Sequence, residues 1–435
     1  MKAIILRKDA LGVTATAVSL LAPTLLAITT IRLSVNVPFY DEWEWADLSY
    51  HARTGTLTFS QLYAPHNEHR NTIPNLVFLL IDRLASWNVL DEQLFSLAVL
   101  VAGLVILWRL MRRTISGTRG AIAFAAMSVA LCSLGQWENF GLGYNIGWNI
   151  CTTAVIAVVA LLTAPRRSWK HVVLAALIAA LASFSSGQGL LLWPIGLFAI
   201  ILVPREPYRT SVAWFAVAVA VVAAYYSDYH VISPTPLAGL GQAASVVQYS
   251  LTYLGYAIRS GSGLVQAEFF GAAVLLALAL AFCADLQADR GRFARNAPWY
   301  ALALYALLGA AFTAVTRLNL GLETATESHY FAIAVFLQVG LVGMVSATWP
   351  HLRPSARVCW RAAFVVWCIL AVGVGVHGSR AFREYAADRR MEVRSLKHGG
   401  PDLVRLAYPD PARLAHLLNE LRAVHDVPWA SQRGR

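Results

Sequence analysis

A long apolar run, residues 11–35 (LGVTATAVSLLAPTLLAITTIRLSV), leads into an acidic and aromatic stretch, residues 40–47 (YDEWEWAD). About twenty apolar residues cross the hydrocarbon core of a bilayer as a helix, so the first run predicts a membrane span. The second stretch places its carboxylates between aromatic rings, and Trp and Tyr are enriched where a chain leaves the membrane. Together they predict a membrane protein whose polar surface begins near Asp41.

The composition points to the same class. Hydrophobic residues make up 57% of the 435 residues and charged residues only 14%, with a mean hydropathy of +0.55. A soluble domain carries about 25% charged residues, so the chain is predicted to be an integral membrane protein. The five cysteines lie in or beside apolar runs at no metal-ligand spacing, and we interpret them as small buried hydrophobes. The first run is long and lacks a small-x-small cleavage site, which favours an uncleaved helix.

Apolar runs of similar length recur along the chain and predict an all-α polytopic bundle of about 11 transmembrane helices. We place the spans at residues 10–33, 93–111, 120–135, 146–164, 171–186, 189–203, 210–227, 262–283, 298–316, 329–348 and 358–376.

The run at 73–90 contains Asp82 and Arg83, and we interpret it as a helix lying in the membrane surface, with a membrane span as the alternative. Residues 36–92 would then form a first external loop with membrane-surface helices. We expect residues 1–376 to form one body. Residues 377–435 would form a short external tail with short helices near 403–406 and 414–421.

The distribution of basic residues predicts the orientation. With the N-terminus in the cytoplasm, the inside segments hold 18 basic and 4 acidic residues, and the outside loops before residue 377 hold 6 basic and 13 acidic residues. Basic residues accumulate on the cytoplasmic side, so the net charge of +11 reflects topology and no nucleic-acid partner is expected. The predicted location is the bacterial inner membrane, with the polar clusters on the periplasmic or extracellular face.

Most unusual polar clusters fall on that outer face in this topology. Each has a simpler interpretation: Trp43, Trp45 and Trp137 as interfacial anchors, Glu44 and Asp47 as solvated acids. The adjacent carboxylates Asp41 and Glu42 favour a function, because they repel each other unless a cation is near. The other candidate site residues are His66, Asn67, Glu68, His69, Arg70, Gln136, Glu138, Asn139, Gln188, Arg317, Glu327 and His329.

An acidic pair just after the first transmembrane helix, followed by membrane-surface helices, resembles the GT-C class of membrane glycosyltransferases. The pair Asp41–Glu42 matches that hallmark in kind and in place, and the stretches 67–70, 136–139 and 317–330 resemble bacterial membrane proteins of this class. The resemblance implies transfer of a sugar from a polyprenyl-phosphate carrier to a glycan or lipid-linked acceptor, with membrane lipids as surroundings.

The resemblance also implies roles for the polar residues. Asp41 would be the general base, while Glu42 and Glu138 would orient the acceptor or, with Asp41, bind a divalent metal such as Mg²⁺, Mn²⁺ or Ca²⁺. Arg70 and Arg317 would hold the phosphate through their planar guanidinium groups. The other polar residues, His66, His69 and His329 among them, would bind substrate, and the imidazoles would serve as phosphate donors or metal ligands.

Two other classes stay open at this point. A ligase or polymerase of O-antigen type would act at the same face with external Arg and His but would not need the early acidic pair. A lipid or polysaccharide transporter would place ionisable residues in the middle of helices and often shows internal repeats. The chain shows no repeat, and its ionisable residues cluster near helix ends.

Overall fold

The chain folds as an all-α polytopic bundle, as the sequence predicts. The computed structural model describes residues 2–67, 69–85, 87–203, 207–230, 237–257, 263–287, 290–398, 408 and 410–425. Within these residues, nine helices are long and apolar enough to cross a membrane, and two shorter apolar helices, Trp169–Ser183 and Gly187–Leu202, accompany them. These eleven segments coincide with the eleven predicted spans, so the protein is a multi-pass membrane protein.

The described residues form seventeen α-helices. Their bounds are α1 Lys2–Leu33, α2 Glu44–Thr54, α3 Phe59–Tyr63, α4 Thr72–Ala85, α5 Val89–Thr114, α6 Gly117–Leu131, α7 Glu138–Gly141, α8 Ile146–Leu162, α9 Trp169–Ser183, α10 Leu192–Leu202, α11 Pro207–Tyr226, α12 Ala243–Tyr256, α13 Leu264–Leu286, α14 Arg290–Arg317, α15 Phe331–Thr348, α16 Pro354–His398 and α17 Pro411–Val424. The two strands described, β1 Pro65–His66 and β2 His69–Arg70, form one antiparallel hairpin.

The main core lies where α8, α14 and α15 pack together. Trp299 of α14 is fully buried, and its ring fills the space left by the missing side chain of Gly343 on α15, while Gly340 lies against Ala303 and the carbonyl of Trp299. A Cβ at Gly343 would lie 2.1 Å from that ring, so only glycine allows the two helices to approach this closely. Small residues at such contacts are typical of helices packed in membranes.

Helix α4 is the predicted membrane-surface helix. Its 14 residues span about 21 Å at 1.5 Å per residue, which is shorter than the roughly 30 Å of hydrocarbon core. One side of α4, which includes Phe78 and Asp82, is buried, and Leu80 and Leu84 are exposed. Among the described residues, α4 is not one of the nine helices that are long and apolar enough to cross a membrane.

Helix α12 was not predicted from the sequence. It packs against α13 through two glycines, since a Cβ at Gly255 would lie 1.7 Å from the carbonyl oxygen of Ala267 and one at Gly271 would lie 1.9 Å from that of Leu251. Its 14 residues bury Tyr249, Tyr253 and Leu254 in the main core. It therefore fills a place that the sequence analysis left as a loop.

The C-terminal region differs from the short tail expected beyond residue 376. Helix α16 continues to His398, and Phe382 and Ala386 on this extension are fully buried. The predicted helix near 414–421 lies within α17, and the one near 403–406 falls outside the described residues. A second hydrophobic cluster joins α2, α4 and α17 through Trp45, Phe78, Trp87, Leu414, Leu417 and Leu421.

Candidate active site

The predicted polar loops meet at one end of the helix bundle. Hydrogen bonds join residues that are far apart in sequence: the amide of Gly187 donates to His69 Nδ1 (3.2 Å), and Arg70 Nε donates to the carbonyl of Tyr225 (2.5 Å). Glu138 and His329 also meet there. We call the polar residues that meet here the site cluster. Its members are Asp41, His66, His69, Glu138, Arg317, Glu327 and His329.

Asp41 lies on a short 3₁₀ helix, Tyr40–Trp43, directly after α1. Its side chain is 43% exposed, and its Oδ2 atom lies 3.2 Å from Nε2 of His66. The β hairpin supplies that imidazole, with His66 opposite His69 and with Asn67 at the turn in a left-handed conformation (φ 49°). The structure therefore brings the acidic stretch that begins at Tyr40 to the polar stretch that contains His66, and leaves the Asp41 carboxylate accessible.

Glu138, His329 and Glu327 form the second acid and imidazole group. Glu138 Oε2 lies 3.0 Å from His329 Nδ1 and accepts a hydrogen bond from the His329 amide (3.1 Å), while His329 Nε2 lies 3.3 Å from Glu327 Oε2. Burial acts to raise the pKa of Glu138, but the bonds from His329 outweigh it and leave that pKa below its usual value. Glu138 is thus an ionised carboxylate that fixes the orientation of His329.

His69 and Arg317 line a small cavity of about 60 Å³ beside His329. Burial, with the nearby Arg317 guanidinium second, lowers the pKa of His69 to about 4, so its imidazole is neutral at pH 7. Because Nδ1 accepts the Gly187 amide hydrogen, Nε2 carries the proton and is a hydrogen-bond donor. Gln188 lines the same cavity and donates to Thr313 Oγ1 (3.2 Å).

Glu42 does not face this cluster, which corrects the prediction that it binds metal or orients an acceptor. Its side chain is fully buried, Oε2 accepts from the amide of Phe39 (2.8 Å), and Oε1 accepts from the amides of Gly143 and Tyr144. Burial raises the pKa of Glu42 to about 7 despite these bonds. The residue ties the 3₁₀ helix of Asp41 to the start of α8 and so positions its neighbour.

Arg70 also does not occupy the position that was predicted for it, a contact with the substrate phosphate. It is 1% exposed, its guanidinium donates to the carbonyls of Tyr63, Tyr225 and Ser227, and its Cζ atom lies 4.0 Å from the centre of the Tyr63 ring. A guanidinium with these carbonyl partners inside the protein is not available to a substrate. Arg70 therefore anchors the hairpin to the end of α11.

Two further predicted substrate contacts are structural. Gln136 is buried and donates to the carbonyl of Leu131 (2.6 Å), and Asn139 is buried and donates to the carbonyl of His329 (3.0 Å). They hold the loop that carries Glu138 and join it to the start of α15. Glu68, the remaining candidate, lies outside the described residues.

The predicted metal ligands are not brought together. The oxygens of Glu42 are taken up by backbone amides, and Asp41 and Glu138 pair with separate histidines. Among the described residues, the group of three or more potential ligands with atoms within 4.8 Å of one another consists of Asp47, His51 and Glu420, none of which belongs to the site cluster. The set Asp41, Glu42 and Glu138 therefore does not fit a metal ion in this structure.

An apolar groove of about 540 Å³ lies between α1, α6 and α16. Leu21, Leu25 and Val376 are among the residues that line it, and Arg380 and Arg383 contribute positive charge where α16 extends beyond the predicted span. The sequence analysis placed these arginines in a separate tail and missed them. The spacing of the two arginines could have identified them in the sequence. Residues three apart lie on the same side of a helix, and here the helix continues from an apolar run.

The chain shows little similarity to known proteins. No protein-family model matches the chain, and no curated protein matches it. A search of solved structures finds similarity to the crystal structure of the oligosaccharyltransferase of Archaeoglobus fulgidus in complex with Zn and sulfate, with a TM-score of 0.44 and 14% identity. The similarity covers 95% of this chain and 58% of that protein's length. At this TM-score the similarity assigns no activity.

Proposed function

We propose that the chain is a membrane glycosyltransferase that moves a sugar from a polyprenyl-phosphate carrier to a hydroxyl group of a glycan or lipid-linked acceptor. The observation that carries the proposal is the site cluster itself. An accessible carboxylate paired with an imidazole, Asp41 with His66, lies at one end of a membrane bundle together with Arg317 and the Glu138–His329 pair. Such a set supplies a base for a hydroxyl and cations for a departing phosphate.

The reaction needs a base at the acceptor. The acceptor oxygen attacks C1 of the sugar and forms the new glycosidic bond, and the bond between C1 and the phosphate oxygen breaks with its electron pair on that oxygen. The hydroxyl proton passes to Asp41, while His66, 3.2 Å away, holds the carboxylate in place. A positioned general base typically contributes about 10²- to 10⁴-fold to such a step.

The leaving phosphate needs positive charge and hydrogen-bond donors. The Arg317 guanidinium offers a planar fork that binds phosphate through two parallel bonds. His69 would add a neutral donor at Nε2, since its Nδ1 is occupied by the Gly187 amide. The Glu138 carboxylate holds the His329 ring beside the same cavity. These donors would stabilise charge as it develops on the leaving oxygen.

The groove between α1, α6 and α16 would receive the polyprenyl chain. Its lining is largely apolar, and Arg380 and Arg383 would pair with phosphate at its basic end. That end adjoins the loop of Glu138, because the ring of Trp137 packs on Phe382 and Tyr385 of α16, with centres 6.1 and 5.1 Å apart. A lipid tail in the groove would thus bring its headgroup toward the site cluster.

The distribution of basic residues supports a cytoplasmic N-terminus and a site on the outer face of the bacterial inner membrane. The partners would be the lipid-linked sugar donor, the acceptor glycan or lipid, and the surrounding membrane lipids.

A transfer assay tests the proposal. The purified protein, in detergent or lipid nanodiscs, is incubated with radiolabelled lipid-linked sugars extracted from the native membranes and with a membrane extract as acceptor. We expect label to move from the donor lipid fraction to an acceptor product. Label that remains on the donor lipid at the level of a protein-free sample would contradict the proposed activity.

A further inference from the structure

The C-terminal helix α17 packs against α2 of the first loop through a second group of polar side chains, none of which belongs to the site cluster. Three side chains face one another there: Asp47 and His51, one turn apart on α2, and Glu420 of α17. One ligand atom from each lies within 4.8 Å of the other two. An imidazole and two carboxylates in one group are a donor set that transition-type divalent metals accept.

The histidine is already oriented for a ligand. Nδ1 of His51 lies 2.7 Å from Thr56 Oγ1, and its Nε2 atom is 3.9 Å from Asp47 Oδ1. With the proton on Nδ1 directed at Thr56, the Nε2 lone pair is left for a cation on the side of Asp47. Metal-binding histidines commonly donate their second ring N–H to such a partner.

The buried acid points to a missing partner. Glu420 is 8% exposed, its Oε1 atom lies 3.2 Å from His416 Nε2, and its Oε2 atom has no hydrogen-bond partner in the described part of the chain. A buried carboxylate oxygen without a partner is costly unless a cation compensates it. This observation is independent of the spacing of the three side chains.

The net charge around the three proposed ligands is negative and favours a divalent cation. Three carboxylates lie in this region, those of Glu44, Asp47 and Glu420. Arg413 supplies one guanidinium, and its Nη2 atom lies 2.7 Å from Glu44 and 3.6 Å from Asp47. Three negative charges and one positive charge leave two negative charges, which one divalent ion would neutralise. His416 is largely exposed, and it faces Glu420 from the other side.

We propose that Asp47, His51 and Glu420 bind one divalent metal ion, with Zn²⁺ preferred, that fastens α17 to the first loop. Three protein ligands with water in a fourth position form a tetrahedral set, and an imidazole ligand favours Zn²⁺ over Mg²⁺ or Ca²⁺. The ion has no part in the proposed transfer reaction. It would stabilise the contact of α17 with the cluster that contains Trp43 and Trp45, next to Asp41.

Metal binding by the purified full-length protein tests the proposal. The protein is stripped with a chelator, dialysed against Zn²⁺, and analysed for bound metal by mass spectrometry and for its unfolding midpoint. We expect about one Zn²⁺ per chain and a higher midpoint, since a ligand that binds only the folded state stabilises it. His51→Ala and the shape-conserving Glu420→Gln should each weaken binding at least about tenfold.

The matched controls are His230→Ala, which removes a histidine of an exposed Asp–His pair, and Asp41→Asn in the site cluster. Both should bind Zn²⁺ as the wild type does. If His51→Ala fails to fold, Glu420→Gln and Thr56→Val, which removes the partner of His51 Nδ1 and of the Thr54 hydroxyl, carry the test. No saturable Zn²⁺ in the folded wild type, or Zn²⁺ that is lost in Asp41→Asn and kept in Glu420→Gln, would overturn the assignment.

Discussion

Replacing Glu42 by Gln tests its role in positioning Asp41. The wild-type carboxylate accepts from three amides: Phe39 at one oxygen, and Gly143 and Tyr144 at the other. Gln keeps the shape, but one end becomes an NH₂ group that faces a backbone N–H. One buried amide is then left unpaired, at a cost of about 1 to 3 kcal/mol.

The penalty should depend on pH. Burial raises the pKa of Glu42 from 4.5 to about 7, so between these values the folded protein binds more protons than the unfolded chain. The stability that wild-type Glu42 contributes is therefore complete below pH 4.5 and is lost as the pH rises through 7, by up to about 3 kcal/mol at 1.36 kcal/mol per unit. Gln does not titrate. We expect the destabilisation by Glu42→Gln to be largest near pH 5 and to shrink toward pH 8.

The measurement is the unfolding midpoint of detergent-purified protein between pH 5 and 8, with size-exclusion chromatography to confirm folding. Glu323→Gln, at an exposed position in the loop before α15, is the matched control and should leave the midpoint unchanged. A difference between wild type and Glu42→Gln that is constant across this range would refute the assigned burial of an acid with a raised pKa.

Three further outcomes are expected. Arg70→Lys should lower the unfolding midpoint and leave the donor KM unchanged, because an ammonium cannot reach all three carbonyls; a raised donor KM with unchanged stability would restore the phosphate role. Arg317→Lys should raise the donor KM about tenfold at unchanged stability, since one bidentate contact is worth roughly 1.4 kcal/mol or more, and a wild-type KM would remove it from the site. Reporters fused after Arg113 and after Tyr63 should lie in the cytoplasm and outside it, respectively; both on one side would reverse the topology.

The sequence predicted the parts of the fold that hydrophobic length determines. The spans and the surface helix α4 follow from run length and amphipathicity. Helix α12 does not, because Ser, Gln and Thr interrupt its apolar residues and its packing depends on Gly255 and Gly271, which lie on different helices. The extension of α16 was also missed, since residues beyond 376 are polar overall and only one side, with Phe382 and Ala386, is buried.

For the site residues, too, the sequence predicts what local pattern determines and misses what depends on tertiary packing. The sequence placed Asp41, His66, Glu138 and His329 on one face of the membrane, because each lies at the predicted outer end of a helix or in a loop there, but it did not predict which of them pair. Residue type alone does not tell whether a charged side chain faces a substrate or the interior. Arg70 finds its partners in backbone carbonyls of distant segments, and Glu42 in distant amides, so both needed the structure.

The measurement that tests the central claim most directly is the rate of sugar transfer by Asp41→Asn. The substitution keeps the size of the side chain and removes the charge, and the 43% exposed position contributes little to stability. The control is Asp228→Asn, which alters an exposed Asp–His pair, 3.0 Å apart, outside the site cluster. With Asp41 as the base, transfer should fall by at least about a hundredfold in Asp41→Asn and stay at the wild-type rate in Asp228→Asn. A folded Asp41→Asn variant that transfers sugar at close to the wild-type rate would contradict the account.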